Sequence, residues 1–235
     1  MRKSVIYFTG LFLLIVGMSC QQNGGVTDVK LETPADSAGY AIGILVGNNN
    51  KEQVSNAPGG ANISLEAMVA GFAKAAMGEE TDLTPEEADQ IVREYFSSAG
   101  EKQGQTNLEE GNAFLEENKE RAEVKVTESG MQYEILQEGN GPVPGADDRV
   151  RVHYHGTLID GTVFDSSVDR GEPAVFGVTQ VIPGWTEALQ LMPVGSKWKI
   201  YLPSELAYGE RGAGGDIGPN ETLIFEVELL EIIEE

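Results

Sequence analysis

The stretch VHYHGTLIDGTVFDSS, Val152 to Ser167, holds the densest set of reactive side chains in the 235-residue chain. Both histidines, His153 and His155, lie in it beside Tyr154, Asp160, Asp165, Ser166 and Ser167. Three kinds of chemistry suit such a mixture. Two histidines at i and i+2 on a strand can ligate a metal, but no other histidine is present and the single cysteine is Cys20, so further ligands would have to be distant carboxylates. A serine, a histidine and an aspartate can run acyl transfer when the base faces the nucleophile and an acid orients it. The chain, however, has no G-x-S-x-G elbow. The third option is a binding surface that needs neither a metal nor a nucleophile.

The elements that position these residues decide among the three. From about Val124 onward apolar residues recur with period two. Met131, Tyr133 and Ile135 alternate with Gln132 and Glu134. Val150, Val152 and Tyr154 alternate with Arg149, Arg151, His153 and His155, and Trp198, Ile200 and Leu202 with Lys197, Lys199 and Tyr201. Leu223, Phe225, Val227 and Leu229 alternate with Glu226 and Glu228. One apolar and one wet face predict an antiparallel sheet covered on one side. Asp160-Gly161 marks a hairpin, and GWTEALQLM is a short helix able to provide the cover. Alternation turns both histidines to the solvent side, which suits neither metal binding nor a triad. The glycine-rich GERGAGGDIG, Gly209 to Gly218, lacks the GK[ST] ending of a phosphate loop and reads as a flexible connection between strands. What remains is an inward or rim set: Tyr154, Phe164, Asp165, Val181, Ile182, Trp185, Tyr208 and Phe225. Its composition fits a small-molecule or side-chain pocket and fits plain core packing as well.

The first half of the chain reads as helices. Gly39, Gly43 and Gly47 form a stripe at i, i+4 and i+8, beside Tyr40, Ile44 and Leu45, which suits close approach by another helix. Leu65, Met68, Val69, Phe72 and Ala76 share one face of a second helix closed by Gly78. Thr84, Pro85 and Glu87 spell the start of a third, with Ala88, Ile91, Val92, Tyr95 and Phe96 on its apolar face. SSAGEKQGQTN then interrupts the period, so 97–107 reads as a hinge or as part of one long helix. Leu108, Gly111 and Leu115 resume the pattern. These helices make a thin core alone, so they are expected to pack on a second copy or on the other domain, dimerisation being preferred and a self-contained helical cap the alternative. The fold class is therefore α+β, with an all-helical domain at 31–120 and a curved antiparallel sheet wrapped around one short helix at 121–235.

Before them, Arg2, Lys3 and an apolar run ending in Ser19-Cys20 describe an export leader at 1–19. The boundary resembles a bacterial lipoprotein signal with Cys20 as the lipidated residue, although Gly17 stands where such signals usually carry leucine. A polar tether at 20–30 follows. The formal net charge of −22 repels phosphate backbones and argues against nucleic acid as a partner.

VHYHGTLIDGTVFDSSVDRGEP, VIPGWTEALQLMPVGSKWKIYLPSELAYGERG and PNETLIFEVELLEI together resemble an FKBP-type peptidyl-prolyl cis/trans isomerase, from about Val124 to Ile232. The helical region leading through NAFLEENK to SGMQYEIL is similar to the macrophage infectivity potentiator subgroup, whose members are exported and dimerise through an N-terminal helical domain. The resemblance implies a proline pocket floored by Trp185 and walled by Tyr154, Phe164, Val181, Ile182 and Phe225, with Ile217 also in contact with substrate. Asp165 and Tyr208 would be its polar contacts, the Ile182 N–H a further donor, and Arg170 the residue holding Tyr154 and Asp165. It implies no cofactor and no metal. The substrates would be proline-containing unfolded or nascent exported polypeptides, met on the periplasmic or outer side of a membrane to which Cys20 anchors the protein, the outer membrane being expected. Ala174, Ala213 and Asp216 depart from the residues common in the family, at the rim and the loop over the pocket. The competing reading is a non-catalytic holdase that clasps chains in the dimer cleft.

Overall fold

In the computed structural model the described residues are 29–233. The leader and Cys20 lie outside them. The chain divides into two compact units, one ending at Val46 and one beginning at Gly47.

Helix α1 (Pro34–Ser55) runs across that division and has no buried residue. Its start is fixed by Thr33, whose Oγ1 accepts from the Asp36 N–H at 3.1 Å while the Asp36 carboxylate accepts from the Thr33 N–H at 2.8 Å. Open space lies beside Gly39, Gly43 and Gly47, so nothing among the described residues uses the close approach their stripe permits.

In the second unit, α2 (Leu65–Met77) begins at Ser64, whose Oγ accepts from the Ala67 N–H, and ends at Gly78 with φ of 69°. The capping signal read at Thr84 forms as expected. Thr84 Oγ1 accepts from the Glu87 N–H and the Glu87 carboxylate accepts from the Thr84 N–H. α3 (Pro85–Asn118) then runs for 34 residues without a break, so 97–107 is helix rather than hinge. Loss of apolar period there is a change of partner. Gly104, Asn107, Gly111, Leu115 and Asn118 are the buried residues of α3. Gly104, Asn107 and Gly111 meet the segment Gly218–Thr222. No helix among the described residues is long and apolar enough to cross a membrane.

Seven antiparallel strands form one open sheet: β1 (Lys125–Val126), β2 (Gln132–Gln137), β3 (Arg149–Leu158), β4 (Val163–Ser166), β5 (Ala174–Gly177), β6 (Lys197–Leu202) and β7 (Leu223–Ile233). Their order is β1-β2-β6-β7-β3-β4, with β5 on the first half of β3 and β4 on the second. The Asp160-Gly161 turn joins β3 to β4, Gly161 taking φ of 88°. Register shifts in three of the pairings bend the sheet. After the single turn α4 (Ser167–Arg170) comes α5 (Pro183–Leu189), which lies on the apolar face. Gly184, Trp185, Ala188 and Leu189 are its buried residues, and a Cβ at Gly184 would overlap the Leu202 side chain. The core they close includes Val150, Val152, Met192, Ile200, Leu223, Val227 and Leu229.

The expectation of one wet face fails over β2 and β6. Gln132 and Glu134 are buried, and Tyr201 is 2% exposed. The end of α3 covers them. Asn118 Nδ2 donates to Gln132 Oε1 at 2.9 Å, and Gln132 Nε2 donates to the Leu115 carbonyl at 2.8 Å. Arg121 donates to Glu134 at 2.7 Å and to the Tyr201 hydroxyl at 3.0 Å, and that hydroxyl donates to Glu134 at 2.9 Å. Gln132, Glu134 and Tyr201 each find a partner in this network, as burial requires. Burial is the main reason the Tyr201 hydroxyl is pushed up to about 12, with Arg121 working against the rise and Glu134 adding to it.

Candidate active site

Trp185 stands at the base of a cleft of about 670 Å³. Its placement follows from α5: Ile182 is the residue before the helix and Pro183 its first residue, so the indole enters the core one turn in. Three rings meet it edge to face, Tyr154 at 5.4 Å between centroids, Phe225 at 5.3 Å and Phe176 at 5.7 Å. Phe164 stands on Phe225 in the same manner at 5.4 Å. These rings come from β3, β4, β5 and β7, three of them pairing directly with β3. Gly156 makes the arrangement possible, because a Cβ there would stand 2.7 Å from the Phe164 ring and 3.0 Å from Phe225. Val181, Ile182 and Ile217 complete the apolar lining, and the Ile182 N–H meets no acceptor among the described residues.

One edge of the cleft is polar. The Tyr154 hydroxyl donates to Asp165 Oδ2, and Arg170 donates to Asp165 Oδ1 and, at 2.9 Å, to the Tyr154 hydroxyl oxygen. The guanidinium also lies 5.5 Å from the centre of the Tyr154 ring. Burial works to raise the Asp165 carboxyl, but the bonds from Tyr154 and Arg170 outweigh it and hold the group below the usual carboxylate range. The Tyr154 hydroxyl is shifted up, chiefly by burial and then by the Asp165 carboxylate. At neutral pH the pair is therefore an ionised acid and a neutral phenol, a fixed polar edge with no proton to exchange. Tyr208, 42% exposed, also lines the cleft, together with the turn carrying Ala213, Gly214, Gly215 and Asp216.

The serines and histidines of the same stretch do other work. Ser167 is fully buried, and its Oγ accepts from the Tyr154 N–H at 2.8 Å, fixing the backbone behind the ring. Ser166 caps the α4 turn by accepting from the Asp169 N–H at 3.1 Å. His153 and His155 pair with Ser167 and Ser166 on the outer face of β3, away from the cleft.

Two family models match the chain. One, described as FKBP-type peptidyl-prolyl cis-trans isomerase, covers residues 141–230, and the other, described as the domain amino terminal to it, covers 35–135. The FKBP-type 22 kDa peptidyl-prolyl cis-trans isomerase of Escherichia coli is 49% identical over 88% of this chain and 100% of its own length. The chain belongs to the FKBP-type peptidyl-prolyl cis-trans isomerases. Within them it falls with the Mip-like subgroup. The outer membrane protein MIP of Legionella longbeachae is 42% identical over 93% of this chain and 94% of that protein. The crystal structure of FkpA from Escherichia coli shares the fold, with a TM-score of 0.59 and 32% identity over 86% of this chain and 98% of that one. The protein is thus a peptidyl-prolyl isomerase, and the non-catalytic holdase reading is not favoured.

Set on this FKBP fold, nine of the ten pocket residues named from sequence line the cleft: Tyr154, Phe164, Asp165, Val181, Ile182, Trp185, Tyr208, Ile217 and Phe225. Arg170 does not; it stands behind Tyr154 and Asp165. Phe176 and Gln180 line it and were missed. Phe176 shares the parity of Ala174 on β5, so alternation could have found it. Ala174 itself packs on the core instead of lining the cleft. The loop read as a flexible connection is a folded turn with four glycines at positive φ, held by the Ala213 N–H on the Ile217 carbonyl at 3.0 Å and the Ile217 N–H on the Gly214 carbonyl at 3.1 Å.

Proposed function

We propose that this cleft is where the isomerase acts, seating the proline ring on Trp185 between Tyr154, Phe164 and Phe225. Rotation about an Xaa-Pro bond breaks no covalent bond but crosses a barrier of about 20 kcal/mol. At the top of that barrier amide resonance and its charge separation are reduced. An apolar, water-poor box therefore favours the twisted form over the planar one. The Ile182 N–H and the Tyr208 hydroxyl are donors at the rim for the flanking carbonyls, which the rotated geometry would meet best. Asp165 and Arg170 keep the Tyr154 ring from turning out of the wall. Such a mechanism asks for no general base and no cofactor. The observation that carries the reading is the edge-to-face box on Trp185, open on one side and pinned by Asp165 on another.

The test is cis-to-trans conversion of an Xaa-Pro peptide by the wild type, Asp165→Ala and Tyr208→Ala. Loss of Asp165 should lower kcat/KM about tenfold or more, and loss of the Tyr208 ring and hydroxyl about fivefold, the size expected when a wall and a donor go. Variants as fast as the wild type would remove the cleft from this role.

Around this site we place an exported protein. The relatives named for the outer membrane and as FkpA support a position in the cell envelope. Cys20 after the apolar run supports lipid anchoring, and Cys20→Ser should move the protein from the membrane to the soluble fraction. The helices before residue 120 serve dimerisation, supported by the exposed Tyr40, Ile42, Ile44 and Leu45 on α1 and by Leu65, Val69 and Phe72 on α2. Proline-containing exported polypeptides are then the substrates.

A further inference from the structure

The segment that leads from the cleft into β7 is fastened to α3 from outside. Asn107 of α3 is 5% exposed. Its Nδ2 donates to the Pro219 carbonyl and to Glu221 Oε1, each at 2.8 Å, while its Oδ1 accepts from Gln103 at 2.7 Å. Both amide hydrogens are thereby committed to one loop. One turn earlier Gly104 lets that loop lie on the helix. A Cβ there would stand 3.0 Å from Pro219 Cβ, and the Gly104 carbonyl accepts from Asn220 Nδ2 at 3.2 Å.

Asn220 carries the link onward. Among the described residues it alone, apart from glycines, has a positive φ, 56°, a conformation asparagine adopts more readily than other side chains. Held so, its side chain reaches back to α3 while its backbone N–H donates to the Gly209 carbonyl at 2.9 Å. Gly209 directly follows Tyr208. A single residue thus ties the helix to the backbone next to Tyr208, and Asn107, through Pro219, holds the chain two residues beyond Ile217; Tyr208 and Ile217 both line the cleft. Neither asparagine lines the cleft itself.

We propose that Asn107 and Asn220 are positioning residues for the isomerase reaction, setting Tyr208 and Ile217 by locking the loop between them to α3. The proposal rests on the cleft being the site of isomerisation. A bond that merely stabilised a surface loop would leave the rim where it is when cut.

The full-length chain tests it with Asn107→Ala and Asn220→Gly, the second keeping a backbone free to take positive φ while losing the amide. Hydrogen exchange at the bonded amides of Gly212, Ala213 and Ile217 should quicken about tenfold in both, with the strands of the sheet unchanged. The kcat/KM on a proline peptide should fall about three- to tenfold, mainly through KM. In a Tyr208→Ala background Asn220→Gly should cost less than about twofold, because its effect passes through a ring already gone. Unchanged exchange overturns the proposal. So does quickened exchange with unchanged kcat/KM, or a full Asn220→Gly loss that persists without Tyr208. Should Asp165→Ala and Tyr208→Ala prove as active as the wild type, the cleft reading falls and the catalytic half of the proposal with it. Exchange would still report whether the two anchors hold the loop.

Discussion

A methyl group added at Gly156 would press on the Phe164 ring at 2.7 Å and on Phe225 at 3.0 Å, two rings that arrive from strands on opposite sides of β3. Neither ring can retreat freely, since Phe225 also rests on Trp185. Gly156→Ala should therefore cost about 1–3 kcal/mol in a urea titration, the range for overpacking a filled site, and should lower kcat/KM by a larger factor than an alanine on the outer face of β3. Equal stability and activity would show that the rings yield. Asp165 gives a second prediction at this scale. Its folded-state pKa lies below the ordinary 3.8, so its contribution to stability is complete well above that value and is lost as pH falls through the folded pKa. The urea midpoints of wild type and Asp165→Asn should differ at neutral pH and converge on the acid side of 3.8; a gap that stayed constant into strong acid would contradict the pairing. Tyr154 was legible in the sequence because alternation sorted it from His153 and His155, whereas Phe164 and Asp165, adjacent on β4, were legible through the family resemblance. Gly156 was not, because the need for a missing side chain comes from two rings on different strands, one of them distant in sequence.

Gly111 raises the same question between elements. Alanine in place of glycine favours a helix interior by up to about 1 kcal/mol, so on propensity alone Gly111→Ala should stabilise α3. Its Cβ, however, would overlap Thr222 Oγ1 and stand 3.1 Å from Thr222 Cβ, in a residue only 3% exposed. Overpacking at about 1–3 kcal/mol outweighs the propensity gain, and a net loss is expected. Adding Thr222→Ala removes the overlapping oxygen and should restore most of the stability, a coupling readable as a double-mutant cycle of urea midpoints. If Gly111→Ala alone stabilised the protein, α3 and the segment Gly218–Thr222 would be less closely packed than their contact implies. Local signals announced the elements truthfully: the Thr84 capping box, the Asp160-Gly161 turn and the apolar half of the strand periods formed. Their assembly was less legible. Gln132, Glu134 and Tyr201 have the pattern of a wet face, and only the end of α3, with Asn118 and Arg121, turns that face dry. A buried polar network keeps a water-like alternation in sequence, because its side chains are hydrogen-bonded in either setting.

For the molecule as a whole, α1 poses the remaining physical problem. A helix in a folded protein gains most of its stability by packing an apolar face. Yet α1 has no buried residue, and Ile42 and Leu45 are 62% and 70% exposed beside a glycine stripe with open space around it. Covering these side chains with a second copy satisfies both features at once, since glycines allow two helices to approach closely and the flanking aliphatics then lose their water. Sedimentation of the full-length protein should accordingly give twice the mass of one chain. Ile42→Asp with Leu45→Asp would place charges in that contact and should yield a monomer with reduced helix content by circular dichroism. Among the described residues the cleft is lined only by those from Tyr154 to Phe225, so turnover per chain on a short proline peptide should stay within about twofold of the wild type, there being no transition-state contact to lose. If the dimer forms, long unfolded substrates should be turned over more slowly by the monomeric variant, because two joined clefts would raise the local concentration of sites along a chain. A monomeric wild type would assign the exposed face of α1 to some other partner, and a short-peptide rate that collapsed with the dimer would mean the cleft depends on the second copy.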